Sequence, residues 1–355
     1  MPLPDASGLP RSVLFVVPRF HTNLAIAVRA LRDAGCAVHV FATAQSPIED
    51  HSLVVPEVFS ERARRDDVVA ALRAAAPDLV FIRSSKPVSR YVGEYCRLRR
   101  IRAYSYGLSP LTVRPRLRRQ ISRFLDGQPL RRVTPVRGLE RDAPPDPKAT
   151  YLPWPVAAPV EPPEWRSTEG PLRVLCVGKL AQPRKNQHLL VGALDALDRP
   201  EDLELTLAGA LTDHEAADCP DHYRALVERS RREGRVMPVR IVANVPYAKM
   251  PELYSGHDIC VLPADREPLG MAPLEAMAFG LVPVFSAQCG SAGSVTDGRD
   301  GFVIDMHDPE ALRSLLARLC EDRALVAKVG RSAWETARTE LGLEAFVARV
   351  AALAP

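Results

Sequence analysis

Two carboxylates in the stretch REPLGMAPLEAMAFG, residues 266–280, are spaced for holding something between them. Glu267 precedes Pro268 and Gly270, where a helix is expected to begin, and Glu275 lies inside that helix. The first N–H groups of a helix lack intrahelical acceptors and carry the positive end of its dipole, so they attract anions. Here those groups are expected at Gly270, Met271 and Ala272. Gly270 permits close backbone approach, and Pro273 falls in the first turn, where its missing N–H costs little. Eight residues at ~1.5 Å rise separate the carboxylates by roughly 10 Å. That span suits a molecule with hydroxyls at both ends and phosphate in the middle, the form of a sugar nucleotide. Taken alone, the spacing also fits a capping Glu267 and an ordinary exposed Glu275.

A second constellation is VGKLAQPRKN, residues 177–186, where a strand ends at Gly178 and is followed by Lys179, Arg184 and Lys185. Three cations at the carboxyl edge of a strand form a diphosphate clamp, or in isolation a solvated basic turn. The first loop of the chain, PRFHTN, offers Arg19, His21 and Asn23 as polar groups for a second substrate, with His21 equally able to cap the following helix. The triplet Asp265-Arg266-Glu267 imitates a D-x-D metal site. Complete strand–helix units lie on both sides of it and the lysines already supply positive charge, so no metal is expected.

These groups need a scaffold that brings loops to one edge. SVLFVVP (12–18), a helix at 22–34 and AVHVFAT (37–43) make a β-loop-α-β unit, which implies a parallel sheet. A helix near 61–75, the strand LVFIR, a helix near 88–99, the strand IRAYSY and a helix near 114–125 continue it. Pro135 to Pro163 is dense in proline and reads as an interdomain linker with one short strand. The pattern restarts with RVLCVGK, then helices at 185–198, 220–233, 247–255 and 269–279 alternate with LELTLAG, VRIVANV, ICVLP and VPVFS, and GFVID precedes the last helices. The expected class is α/β, two Rossmann-like domains with parallel sheets facing across a deep cleft. Ligands of such sheets bind beyond the carboxyl ends of the strands. Boundaries are expected at 1–155 and 156–335, with 336–355 returning as a helix toward the first domain.

Composition narrows the class. The 355 residues exceed one ordinary core, and 46% hydrophobic with 25% charged residues is the balance of a globular protein. No run reaches the ~20 apolar residues that span a bilayer, and the N-terminal stretch lacks the pattern of an export signal. Seven scattered cysteines show neither zinc-ligand nor disulfide-framework spacing, which fits reduced thiols in a cytoplasmic protein. Residues 1–150 hold 25 Lys/Arg against 14 Asp/Glu, and much of the excess lies between Arg97 and Arg132. Such a half docks on an anionic surface or simply presents a solvated arginine face. Few aromatics accompany the patch, so nucleic acid is not an expected partner. VVPRFHTN contains no G-x-G-x-x-G fingerprint, which disfavours a dinucleotide enzyme.

The segments VGKLAQPRKN, ANVPYAKMPELYSGHDICVLP, EPLGMAPLEAMAFGLVPVFS and DGRDGFVI followed by DPEAL, in that order across about residues 172–320, resemble the donor-binding half of the GT-B retaining glycosyltransferases, family 4 (group 1). The resemblance implies a nucleoside-diphosphate sugar as donor, with Glu267 on its sugar hydroxyls and Glu275 on its ribose. It implies Lys179 and Lys185 on the diphosphate, assisted by amides near Gly270 and Met271, and the base along the 242–245 backbone, including Asn244 and Val245. Lys179 stands where the family usually has Arg, and Cys289, Gly290 and Gly293 stand where it has a glycine pair and an acid. Transfer with retention, no cofactor and no metal would follow. A glycan or lipid-linked acceptor at the inner membrane face, for envelope polysaccharide or lipopolysaccharide, is the expected partner of the basic half. A non-catalytic nucleotide-binding module and a GT-B sugar-nucleotide epimerase are the alternatives.

Overall fold

The computed structural model describes residues 8–45, 52–83, 85–140, 142–159, 161–163, 170–211, 219–231 and 237–354. The chain divides into one unit of Met1–Val156 with Leu341–Pro355 and a second of Ala157–Glu340.

In the first unit, strands β1 (Ser12–Arg19), β2 (Ala37–Ala44), β3 (Glu57–Val58), β4 (Leu79–Ile82), β5 (Arg102–Tyr106), β6 (Arg132–Thr134) and β7 (Ala149–Tyr151) form a sheet of order β3-β2-β1-β4-β5-β6-β7. Every pairing in it is parallel. The central strand reads as an unbroken apolar run because both faces are covered. Side chains alternate across a strand, so Val13, Phe15 and Val17 pack with Leu24, Val28 and Leu31 of helix α1 (Thr22–Asp33). Leu14 and Val16 pack with Val68 and Leu72 of α2 (Arg65–Ala75) and Val88 and Val92 of α3 (Val88–Arg99). Each large side chain so buried contributes about 1.5–3 kcal/mol. Helix α4 (Leu117–Leu125) connects β5 to β6.

The proline-dense stretch is not merely a linker. Its strand β7 completes the first sheet, and Leu152 and Val156 are buried in the same unit. An edge strand tolerates flanking prolines because one of its sides needs no ladder partner. Val156 N–H donates to Leu341 O at 2.8 Å, so the chain leaves and re-enters this unit at one place.

In the second unit β8 (Leu172–Val177), β9 (Leu203–Gly209), β10 (Val239–Ala243), β11 (Ile259–Leu262), β12 (Val282–Ser286) and β13 (Phe302–Ile304) form a parallel sheet of order β10-β9-β8-β11-β12-β13. Val174 and Cys176 pack with α5 (Gln187–Asp195) on one face. Leu175 and Cys260 pack with Tyr254 of α7 (Met250–Ser255) and Ala276 of α8 (Met271–Met277) on the other. Helix α6 spans Pro220–Ser230, shorter than the expected 220–233, whose residues 232–233 lie outside the described residues. Helix α9 (Pro309–Glu321) shows why DPEAL starts a helix: the Asp308 carboxylate accepts from Glu310 N at 2.9 Å and Pro309 needs no partner in the first turn. Helix α10 (Arg323–Glu340) ends the unit, and α11 (Leu343–Ala351) packs Phe346, Val347 and Val350 into the first unit's core.

Candidate active site

Strands β8 and β11 are neighbours, and the chain departs from β8 toward β9 on one side while β11 lies on the other. This is the topological switch point, where ligands of open α/β sheets bind beyond the carboxyl ends. Both constellations seen in the sequence emerge here: Gly178 and Lys179 follow β8, and residues 263–267 follow β11.

The two loops are sewn together by one side-chain and one backbone hydrogen bond. After β8 the chain makes a 3-10 turn, Pro183–Lys185, closed by Asn186 at φ 54°. Asn tolerates this left-handed conformation better than most residues. Its amide Nδ2 donates to Pro263 O at 3.1 Å, and Asp265 N donates to Arg184 O at 2.8 Å. Gly209 must be glycine, since a Cβ there would sit 1.8 Å from Gly178 O.

Because the loops are joined, the side chains meet. Glu267 Oε2 accepts from Lys185 Nζ at 2.6 Å and from Arg184 Nη1 at 2.7 Å. The Lys185 and Glu267 side chains are only 12% and 11% exposed, whereas Arg184 is 41% exposed. Burial pushes the Glu267 pKa up, but the hydrogen bonds and charges of Lys185 and Arg184 outweigh it and hold the value below the ordinary carboxylate range. The sequence reading assigned the acid to one end of a ligand and the cations to its middle; the structure brings Glu267, Arg184 and Lys185 into one ion-pair cluster. Lys179 is exposed at the start of the basic loop.

Beyond Glu267 the backbone turns at Gly270, φ 82°. A Cβ there would lie 2.5 Å from Cys289 Sγ and 2.6 Å from Leu262 Cδ2, so glycine is required by both conformation and space. Helix α8 then begins, and its first-turn amides at Met271 and Ala272 have no intrahelical acceptor. A splint from residues 289–291 fixes this turn. Gly290 N donates to Glu267 O (2.9 Å), Ser291 N to Leu269 O (2.8 Å) and Ser291 Oγ to Gly270 O (2.8 Å). A Cβ on Gly290 would meet Pro268 O at 2.1 Å. In sequence the segment stood out only as a departure from the family pattern; Gly290 was the available signal of its supporting role.

Glu275 is half-buried, and its Oε2 accepts from the buried Tyr254 hydroxyl at 2.7 Å. Burial raises the Glu275 pKa and the tyrosine's hydrogen bond partly opposes the rise. Nothing in the sequence singled out Tyr254 beyond its place in PELYSGHD. Folding therefore favours the protonated Glu275. The stability this group contributes is full below its unfolded pKa and is lost as pH rises through the folded value. Tyr254→Phe is expected to raise the Glu275 pKa further and cost about 1–3 kcal/mol at pH 7.5. The cost should be smaller at pH 5, and urea denaturation at the two pH values measures the difference.

At the carboxyl end of β10, Asn244 (φ 56°) exchanges hydrogen bonds with Leu211: Leu211 N donates to its Oδ1 and its Nδ2 donates to Leu211 O, both at 2.8 Å. Its side chain thus braces the neighbouring loop, and the half-buried Val245 follows. Three inter-strand spacings separate β10 from β11, about 14 Å along this edge.

In the first unit, Arg19 ends β1 and His21 lies just beyond it, with Arg19 Nη2 3.1 Å from His21 Nδ1. His21 occupies the N-cap position of α1 but its side chain makes no capping hydrogen bond. The side chain of Asn23 lies outside the described residues. Asp265 lies 3.4 Å from His307 Nε2, and among the described residues no group of three or more His, Cys, Asp or Glu is placed to hold a metal ion.

The model of the family Glycosyl transferases group 1 matches residues 159–336, half of the chain. The chain belongs to the glycosyl transferases group 1. Every second-unit residue assembled above falls inside that match. Among curated relatives, a D-inositol 3-phosphate glycosyltransferase of Corynebacterium glutamicum is 34% identical over 170 residues, 47% of this chain and 39% of that protein. A glycogen synthase of Mycobacterium tuberculosis is 27% identical over 197 residues, 52% of this chain and 44% of that protein. The matches thus span less than half the length of these relatives. Over the whole fold, the crystal structure of Anabaena Alr3699/HepE in complex with UDP superposes with a TM-score of 0.73 at 16% identity, covering 96% of this chain and 98% of that one. With two Rossmann-like parallel sheets, the architecture is the GT-B fold.

Proposed function

We propose that this chain transfers a sugar from a nucleoside-diphosphate sugar to a glycan or lipid-linked acceptor, with retention of configuration and without a metal ion, as a family 4 enzyme. The observation that carries the reading is the Arg184–Lys185–Glu267 cluster, set at the switch point beside the turn into α8. Cleaving a sugar–phosphate bond places positive charge on the anomeric carbon and negative charge on the departing diphosphate. Fixed cations and helix amides stabilise that diphosphate without reorganising. In this reading Lys185, Arg184 and Lys179 take the phosphates, with the amides of Gly270, Met271 and Ala272. Glu267 receives the sugar hydroxyls, Glu275 the ribose, and the backbone at Asn244 and Val245 the base. Retention follows if the leaving phosphate helps to take the acceptor proton, so no separate base is needed. Arg19, His21 and Asn23 serve the acceptor, and the basic first unit meets it at the inner membrane face, in envelope polysaccharide or lipopolysaccharide assembly.

The test is a panel of UDP-, GDP- and ADP-sugars with chelator present, read by thermal shift, turnover and anomeric NMR of the product. A ligand at 100 times its Kd adds about 2.7 kcal/mol to the folded state, a rise of roughly 5–10 °C for a domain of this size. Binding without turnover of any donor would favour the non-catalytic module. Absence of any nucleotide-dependent shift would overturn the reading.

A further inference from the structure

Helix α4 is built inside out. Leu117, Ile121, Phe124 and Leu125 recur at i, i+4, i+7 and i+8 and share one stripe. In an ordinary surface helix that stripe faces the core, yet α4 buries none of its residues. Leu117 is 71% exposed, Leu125 69%, Ile121 51% and Phe124 45%. Polar side chains attach the helix to its unit instead. Arg123 donates to Ser105 Oγ, Gln120 Nε2 donates to Pro115 O at 2.8 Å, and Lys148 Nζ donates to Gln120 Oε1 at 2.9 Å. From α3, the Arg97 guanidinium lies 4.2 Å above the Phe124 ring and donates to Phe124 O.

The charge around the stripe identifies what covers it. From Arg97 to Arg132 the chain carries eleven arginines and one acid, Asp126. That acid is paired with Lys86 at 2.7 Å. Arg114, Arg116, Arg118 and Arg119 are exposed around the helix start. An apolar stripe flanked by arginines matches a lipid surface with anionic headgroups, where acyl chains take the leucines and phosphates take the guanidiniums. A protein partner of matching shape would leave this one-sided charge to be neutralised by acidic residues.

We propose that α4 is a membrane-docking helix that lies in the plane of an anionic bilayer surface, with Leu117, Ile121, Phe124 and Leu125 entering the headgroup–acyl boundary. The proposal deepens the membrane-face part of the reading above and does not depend on its donor half. The experiment uses the full chain with phosphatidylcholine vesicles and with vesicles containing 30% phosphatidylglycerol (about that fraction, enough for a negative surface potential), read by flotation. The wild type should float with the anionic vesicles only, less so as salt rises. The triple change Leu117→Ser, Ile121→Ser, Leu125→Ser should weaken vesicle partitioning by more than about a hundredfold, since each large apolar chain removed costs about tenfold. Charge reversal at Arg116, Arg118 and Arg119 should weaken it by at least about a hundredfold, each arginine counting for about fivefold. Because the stripe buries nothing, the serine variant should unfold at the wild-type temperature, and nucleoside diphosphate affinity should be unchanged in both variants. Flotation unaffected by the serine changes would overturn the proposal. So would a wild-type dimer that the serine variant dissolves without altered vesicle binding, which would assign the stripe to a second copy of this chain. Loss of nucleotide binding in the wild type would count against the donor site alone.

Discussion

Replacing Glu267 by Gln is expected to lower sugar transfer by about 10²–10³-fold while tightening the binding of a free nucleoside diphosphate about tenfold. The two effects have opposite signs because one carboxylate holds both cations. Its Oε2 accepts from Lys185 and Arg184 together, so an incoming diphosphate must share those cations with a charge already in place. Neutral Gln keeps the size of the side chain and removes the competing charge. The gain is limited because Arg184 is partly solvated and its interaction is screened. Turnover falls because the sugar loses its acidic partner and the cations lose the group that aims them, a loss of the size seen when one preorganised transition-state contact is removed. The carboxyl is held below its usual pKa, so the stability it contributes is present above the unfolded value of about 4.3 and disappears as pH falls through the lower folded one. At neutral pH, then, the Glu267 carboxylate is ionised. Calorimetric titration with UDP and GDP, beside turnover, separates the arms. If both affinity and turnover fell together, Glu267 would be a structural anchor for the basic loop and no more.

Most of the strands were legible because fully buried parallel strands are written as short apolar runs, as in SVLFVVP, LVFIR and ICVLP. The two-residue β3 was missed because its Glu57 and Val58 are exposed and carry no periodic signal. Strand β7 falls where one short strand was expected among the prolines, whereas the three-residue β6 just before that stretch was missed. Helix starts came out too early at α2 and α4, where polar residues precede the first hydrogen-bonded turn. For the site, residue types and their order named the loops, and sheet topology then explains why residues some 80 positions apart converge. What sequence could not show is which atoms meet. That Arg184 and Lys185 share one oxygen of Glu267 depends on the hydrogen bonds of the Asn186 side chain and the Asp265 amide. That Glu275 is gripped by Tyr254 depends on how α7 packs against α8. In α4 the apolar stripe is plain in the sequence, but the face it turns outward is set by the hydrogen bonds of Gln120 at its edge and Arg123 on the far side.

Arg132→Met is expected to destabilise the first unit by about 3–5 kcal/mol, the cost of leaving a buried ion-pair partner uncompensated. Its side chain is 4% exposed and that of Asp146 7%, with Nε donating to Asp146 Oδ2 at 3.2 Å. Nη1 donates to Ser109 O, and Nη2 lies within hydrogen-bonding distance of the carbonyls of Pro110, Leu111 and Val113. One guanidinium therefore gathers the loop that leads from β5 into α4. Lysine lacks the planar fork and cannot reach these acceptors together, so Arg132→Lys should recover little. Adding Asp146→Leu to Arg132→Met should restore part of the loss, because the stranded charge is then gone. Scanning calorimetry should show the single change lowering the transition of the first unit by roughly 6–20 °C. A transition raised by nucleoside diphosphate belongs to the second unit, whose separate core does not contain Arg132, and should stay in place. If the single variant melted like the wild type, the loop would be held by its own backbone bonds, and Arg132 would be an ornament of the fold instead of the pin that sets where α4 begins.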